Sequence, residues 1–370
     1  MNLSFHTMML LAYTIPNIYM FFRLWSLFVI KKYRTAYILA YLAIAAIYPL
    51  ADIVGNTALR HCLDNISLYL LPYLLYMFML TLVCDIFLGL RALTMLAAKC
   101  RPATNPIKRY GLPVIALSAA VIVAAGAINF NTVRTTQYTI DIPAHESPAG
   151  KLRIAFAADF HIDTRTPEKF IQKFADEVNS HQPDLVLFVG DIVEGRSAAQ
   201  LKNRTDILSQ ITSTYGSYGV LGNHEHYRNQ EDGAFFANAG ITLLRDTVIP
   251  IGNAFYLAGR NEPEGGRRKT PQQLLQTATR QLPVIMMAHR PIEFNEVTAT
   301  KTDVHLSGHT HRGQMFPLNL IIRNMYPLSY GYRKIENVHF FVTSGIRLWN
   351  YPVRTAGKSE IMIIDINLVK

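Results

Sequence analysis

The sequence predicts an α/β domain preceded by an N-terminal bundle of about four membrane-spanning helices. Three observations predict it. Apolar runs long enough to cross a bilayer crowd residues 1–130 and then cease. Beyond them, short apolar runs alternate with segments of helical period, the pattern of strands joined by crossover helices. Charge divides at the same place. Residues 1–130 hold ten Lys and Arg against three Asp and Glu, residues 131–370 hold 26 against 23, and the formal net charge of +10 splits into +7 and +3. The expected organisation is an anchor over 1–130, a polar connector over 131–150 and a mixed α/β domain over 151–370.

The apolar segments cover about 5–22, 35–54, 67–90 and 111–130. Each approaches the ~20 residues that cross the hydrocarbon as a helix. The first is the weakest, because Pro16 and Arg23 interrupt it, and an interfacial helix is its alternative. It has no basic leading region or small-residue cleavage site, so it does not read as a cleaved signal peptide. Arg23, Lys31, Lys32 and Arg34 follow the first segment, and Arg91, Lys99, Arg101, Lys108 and Arg109 follow the third. Only Arg60, offset by Asp64, follows the second. The positive-inside rule places both basic loops in the cytoplasm and the second half of the chain outside, whether or not the first segment crosses. The expectation is a multi-pass protein of the cell (inner) membrane with its large domain periplasmic or extracellular. Asp52 and Asp85 have no evident cationic partner within a span, so interfacial placement is expected and a transport path is disfavoured. The basic excess reports topology rather than a nucleic-acid partner, and none is expected. Cys62, Cys84 and Cys100 all lie in the first half without ligand spacing, so the second half has no disulfide framework.

In the second half, Gln137–Pro143 alternates as an edge strand. Lys151–Ala158 and Asp184–Val189 read as buried strands. Between them, 167–180 has apolar residues at helical spacing, with Pro167 suited to a first turn. Residues 198–213 read as a helix. Further strands are expected at 218–221, 241–244, 254–258, 284–288, 303–307, 339–343 and 360–366, and 260–270 reads as a charged, exposed loop.

Acidic and histidine blocks follow these strands in order: Asp159-Phe-His161, Gly190-Asp191, Gly222-Asn223-His224-Glu225, His289 and Gly308-His309-Thr310-His311. They offer seven oxygen or nitrogen ligands: Asp159, His161, Asp191, Asn223, His289, His309 and His311. Two divalent metals side by side clamp the attacking and leaving oxygens of a phosphoryl displacement. Such a site asks for a carboxylate that reaches both ions, for neutral imidazoles and for further oxygens. Alternate residues of an extended chain face one way, so Asp159 and His161 would meet one ion, as would His309 and His311. Glycines at 190, 222 and 308 would let the backbone approach the ions.

This ordered set resembles the calcineurin-like metallophosphoesterase superfamily, with its D-x-H, GD, GNH-[DE], H and GH-x-H blocks, across about residues 150–366. The stretch Ser307–Gln314 resembles a bacterial branch whose domain is membrane-anchored or exported. There glycine more often stands where Arg312 does, a departure that bears on the substrate pocket. The resemblance implies a four-layer αββα sandwich and two divalent ions. It implies Asp159, His161 and His311 on the first ion, Asp191 bridging, and Asn223, His289 and His309 on the second. It implies His224 over the leaving-group oxygen, and a metal-held hydroxide as nucleophile. Mixed nitrogen and oxygen ligation without thiolate suits Mn, Fe or Zn better than Mg.

Arg312, Arg347 and Arg354 follow the late blocks and could fork onto a phosphate. Glu225 is expected to orient a neighbour or to sit in a solvated turn. Trp349, Tyr351, Met315 and Phe316 could touch lipid, with ordinary packing as the plainer reading. The expected activity is hydrolysis of a phosphodiester or phosphomonoester, lipid-linked or from the envelope, beside membrane lipids. A UDP-2,3-diacylglucosamine pyrophosphatase is a narrower alternative, opposed by the loop charges. A non-enzymatic receptor or scaffold is the alternative from another class, opposed by the intact ligand set.

Overall fold

The apolar stretches of the first half fold as four helices: α1 (Phe5–Phe28), α2 (Arg34–Ile53), α3 (Ala58–Ala97) and α4 (Ile107–Asn131). The structure, a computed structural model, describes residues 5–55, 58–97, 107–194, 198–227, 233–263, 268–278 and 281–369. Lys99, Cys100 and Arg101 lie outside the described residues, as do the side chains of Asp52, Lys108 and Arg109. The chain divides into two compact units, residues 1–127 with 350–353 and residues 128–349 with 354–370.

In the first unit, Met20 and Leu24 of α1 are buried with Leu74 and Met77 of α3 and Ile115 and Ala119 of α4. Three helices among the described residues, rather than the four expected, are long and apolar enough to cross a membrane: Lys31–Ala51, Ala58–Met95 and Tyr110–Asn131. Pro16, Asn17 and two tyrosines dilute the apolar character of α1. Asp85 also departs from expectation, because it has a cationic partner after all. Arg23 of α1 donates to it through Nε at 2.7 Å and Nη2 at 2.5 Å, and the Tyr19 hydroxyl donates to the same carboxylate. A bidentate pair satisfies two charges that would be costly alone in an apolar bundle.

The second unit continues in order as β1 (Val133–Pro143), β2 (Lys151–Ala157), α5 (Glu168–Ser180), β3 (Leu185–Val189), α6 (Lys202–Leu208), β4 (Ser217–Val220), α7 (Asn223–Tyr227), α8 (Ala234–Asn238), β5 (Ile241–Leu243), β6 (Thr247–Ile251), β7 (Phe255–Gly259), α9 (Pro271–Leu274), β8 (Val284–Met287), α10 (Phe294–Thr298), β9 (Val304–Ser307), α11 (Leu318–Met325), β10 (Gly331–Ile335), β11 (Val338–Val342) and β12 (Ser359–Val369). One six-stranded sheet runs β1-β12-β2-β3-β4-β5, and the other runs β10-β11-β9-β8-β7-β6. Strands β2 to β5 are parallel in the first, and β7, β8, β9 and β11 are parallel in the second.

Strand β3 shows why the layers form. Every residue is apolar because both faces are covered. Leu185, Leu187 and Val189 turn into a core shared with Leu257, Ile285 and Leu306 of the other sheet. Val186 and Phe188 turn the opposite way, against Phe170, Ile171 and Phe174 of α5. On the far side, Val284 and Met286 pack with Leu274 of α9 and with Phe294 and Val297 of α10. The result is helix, sheet, sheet, helix, as the resemblance implied.

Local differences have physical causes. The segment read as a connector is mostly β1, whose Ile140 and Ile142 are buried while alternate residues face water. The helix expected over 198–213 is a 3₁₀ turn, Ala198–Leu201, followed by the shorter α6. The loop read as exposed over 260–270 buries Arg260 and Glu262, which pair with Glu293 (2.5 Å) and Arg290 (2.9 Å); residues 264–267 lie outside the described residues.

Candidate metal centre

Five parallel strands end at one place. Asp159 and His161 follow β2, Asp191 follows β3, Asn223 opens α7 after β4, His289 follows β8, and His309 and His311 follow β9. Ligands gather at the carboxyl ends of parallel strands in such folds. Asp159, His161 and His311 bring one ligand atom each within 4.8 Å of one another, and Asp191, His289 and His309 do the same. Asp191 Oδ2 stands 3.1 Å from His289 Nε2 and 3.9 Å from His161 Nε2, and so lies between the two groups.

The backbone there is not the extended chain that sequence spacing suggested. Asp159 (φ 57°), His161 (47°), Asp191 (53°), His309 (70°) and His311 (48°) all occupy the left-handed region. Residues other than glycine enter it at a cost of roughly 1–3 kcal/mol each and cluster there at functional sites. The turns re-aim each side chain as the strand ends. Neighbouring loops brace one another: Asp159 N donates to Gly190 O and His161 N to Asp191 O, each at 3.0 Å. Glu225 is wholly buried and accepts from the N–H groups of Asp191, Ile192, Val193 and Gly222 at 2.6–3.1 Å. It therefore ties the loop bearing Asp191 to the loop bearing Asn223, and does not sit in a solvated turn.

The glycines make room for the candidate ligand side chains. A Cβ on Gly222 would stand 2.2 Å from Asp191 Oδ1, and one on Gly308 would stand 2.6 Å from Asp159 Oδ2.

The donor set fits a pair of cations. His289 Nδ1 donates to Val189 O at 2.8 Å, which leaves Nε2 facing Asp191 and Asp159. Burial opposes charge on this ring, yet Asp191 raises its pKa well above the ordinary value, so the carboxylates demand a positive charge at that point. Burial raises Asp159 to about 6, with Asp191 adding to the shift. Burial holds His309 down at about 3 and His311 well below its usual range, keeping both imidazoles neutral, as metal ligands must be. His161 Nε2 and His311 Nε2 are 3.3 Å apart, and two nitrogens at ~2.0–2.1 Å on one tetrahedral ion stand about 3.4 Å apart. Asn223 is buried, and its Oδ1 has no hydrogen-bond partner among the described residues.

Glu194 escaped the sequence reading. Its Oε1 lies 2.8 Å from His161 Nδ1 and 2.5 Å from His224 Nδ1. Burial alone would raise this carboxyl, but the two histidines outweigh it and hold it at about 2. Burial likewise lowers His224, and the Glu194 contact reverses the sign and raises it. The only signal in the sequence is an acid three residues after Asp191.

Of the three arginines considered for a phosphate fork, Arg354 is already engaged by the protein. Arg354 is fully buried and donates to the carbonyls of Ser344 (2.7 Å), Gly345 (3.2 Å) and Arg347 (2.5 Å), so its guanidinium holds a loop together. Arg347 lies over the Phe130 and Phe170 rings, each at 4.9 Å. Arg312 is exposed and stacks on Tyr330 at 4.4 Å. His305 is buried, and burial pushes it down to about 3.

Comparison with known proteins agrees with this geometry. Residues 152–313 match the family described as calcineurin-like phosphoesterase. A transmembrane protein with metallophosphoesterase domain from Danio rerio is 28% identical over 265 residues, covering 65% of this chain and 60% of that protein. An uncharacterized metallophosphoesterase from Helicobacter pylori is 29% identical over 218 residues, covering 57% of this chain and 58% of that one. This chain thus spans about 60% of the length of those two relatives. An uncharacterized metallophosphoesterase from Campylobacter jejuni is 26% identical over 385 residues, 98% of both chains, so that similarity includes the apolar helices. Residues 152–313 are thus similar to the calcineurin-like phosphoesterases, and they follow helices long and apolar enough to cross a membrane.

Proposed function

We propose that this protein is a membrane-anchored, metal-dependent hydrolase of phosphate esters, with two divalent ions and a lipid-linked or envelope substrate. The observation that carries the reading is the pair of ligand triads with Asp191 between them. Asp159, His161 and His311 would hold one ion. Asn223, His289 and His309 would hold the other, and Asp191 would reach both. Two such ions, when bound, activate water and neutralise charge on the phosphate. The remaining work falls to the protein. Glu194 lies against His224 Nδ1 and raises the pKa of the ring, which favours the protonated form whose Nε2 would donate to the leaving-group oxygen. Val189 O and Glu194 fix the tautomers of His289 and His161, and Glu225 holds the loops that carry Asp191 and Asn223. The basic loops favour an outward-facing domain.

The test uses the full chain in lipid nanodiscs loaded with manganese. Turnover of bis-p-nitrophenyl phosphate and of p-nitrophenyl phosphate is measured alongside metal content. Asp191→Ala is expected to lose both metal and turnover. His224→Ala is expected to keep its metal while kcat falls by about 10²–10⁴. A folded wild-type protein that binds no divalent metal would end this reading.

A further inference from the structure

We propose that α11 lies in the interfacial layer of the same bilayer that α4 crosses, seating one face of the second unit on the lipid. The inference rests on α4 being a span and not on the hydrolase chemistry. In α11, Leu318, Ile321, Ile322 and Met325 fall at i, i+3, i+4 and i+7 and form one apolar face. A globular domain normally turns such a face inward. Here the helix is reversed. None of its residues is buried, and Leu318, Ile321 and Met325 are 41%, 57% and 63% exposed. It rests on the protein along one flank, through Asn319, where a Cβ on Gly313 would stand 2.3 Å from Asn319 Cα. Phe316 and Trp349, 46% and 41% exposed, extend the apolar surface, and Gln314 Nε2 donates to Trp349 O at 3.4 Å.

The position of this surface in the second unit says what covers it. That unit begins at Ile128, inside α4, and a single residue, Thr132, separates the helix from β1. Asn129 Nδ2 donates to Arg354 O (3.0 Å) and Gly357 O (3.1 Å). The intervening Thr355 and Ala356 donate through N to Gln314 O (3.2 and 3.1 Å), and Thr355 Oγ1 accepts from Phe316 N (3.0 Å). Within the second unit, the last residues of α4 and the start of α11 therefore hang on one short segment, 354–357. An amphipathic helix at that height buries its apolar face about 5–10 Å into the headgroup and acyl boundary, and tryptophan favours the same layer.

The test labels Met325→Cys with an environment-sensitive fluorophore in the full chain, after Cys62→Ser, Cys84→Ser and Cys100→Ser. The protein is reconstituted at high dilution in phosphatidylcholine–phosphatidylglycerol vesicles. Lysine 173, exposed on α5, is replaced (Lys173→Cys) and labelled as the reference. Nitroxide lipids with a shallow spin label are expected to quench the label at 325 at least about twofold more than the one at 173, with aqueous iodide showing the reverse order. Adding Ile321→Asp should reduce the lipid quenching. Equal iodide access at both positions would overturn the proposal. So would a label at 325 shielded from iodide yet untouched by the lipid nitroxide, which would assign the face to a protein contact such as a second copy.

Discussion

One carboxylate oxygen of Glu194 serves two imidazoles, and its removal should separate their roles. His224 is raised because the Glu194 contact outweighs burial, so the protonated ring, the proposed proton donor, persists to higher pH. In Glu194→Gln the ring should lose its proton at lower pH. The alkaline limb of the pH–rate profile should move down, and kcat should fall by up to about 10² with metal still bound. A profile that overlays the wild type would remove Glu194 from proton transfer. The same pair bears on stability in two directions. The depressed Glu194 contributes above the ordinary carboxylate pKa and loses its contribution as pH falls through about 2; the raised His224 contributes below its ordinary pKa and loses its contribution as pH rises through the raised value. The ligand candidates were legible because each stands where a strand runs out, and six of the seven fall into the two triads. Arg354 was not legible in this sense. A guanidinium forks onto three carbonyls as readily as onto a phosphate, and only burial distinguishes the two. Glu194 was missed because its partners are 33 residues away in one case and 30 in the other, across loops that only folding brings together.

Strands were legible where both faces are covered. β3, β8 and β9 are continuous apolar runs, and α5 shows a clear helical period. Edges were harder. β6 carries Pro250, tolerated only where a ladder hydrogen bond is dispensable, and β10 exposes most of its residues. Helices α7 to α10 have four or five residues each, too few to display a period. At the start of α7, Glu225 accepts from Gly222 N at 2.7 Å and His224 N donates to Asp191 Oδ1 at 2.9 Å. β1 has the largest practical consequence. It pairs with β12 along eleven residues, from Val133 with Ser359 to Pro143 with Val369. A fragment beginning near residue 146 would bare that edge and the faces that Ile140 and Ile142 cover. We expect such a fragment to aggregate on size-exclusion chromatography, while one beginning at Val133 elutes as a discrete species.

Across the whole chain, the orientation argument tolerates the change in span count. With three crossings, the basic loops 23–34 and 91–109 still fall on one side and residues 131–370 on the other. Alkaline phosphatase fused after Lys370 in a bacterial host should therefore be active and a fluorescent protein requiring the cytoplasm dark; the reverse pattern would place the domain inside and reopen the pyrophosphatase alternative. The orientation argument draws on loop charge, a local property that the sequence displays directly. The Arg23–Asp85 pair was not, since it joins residues 62 apart through helix packing. The five strand ends that meet at the candidate centre come from different plates of the sandwich: β2, β3 and β4 from one sheet, β8 and β9 from the other. A cation gripped there would act as a rivet through two plates. Shear between the plates would change ligand spacing, and loss of the rivet would let the plates slip. Mechanical stiffness and chemistry in this domain would then be one property, and a side chain packed deep between the sheets would detune the centre without touching it.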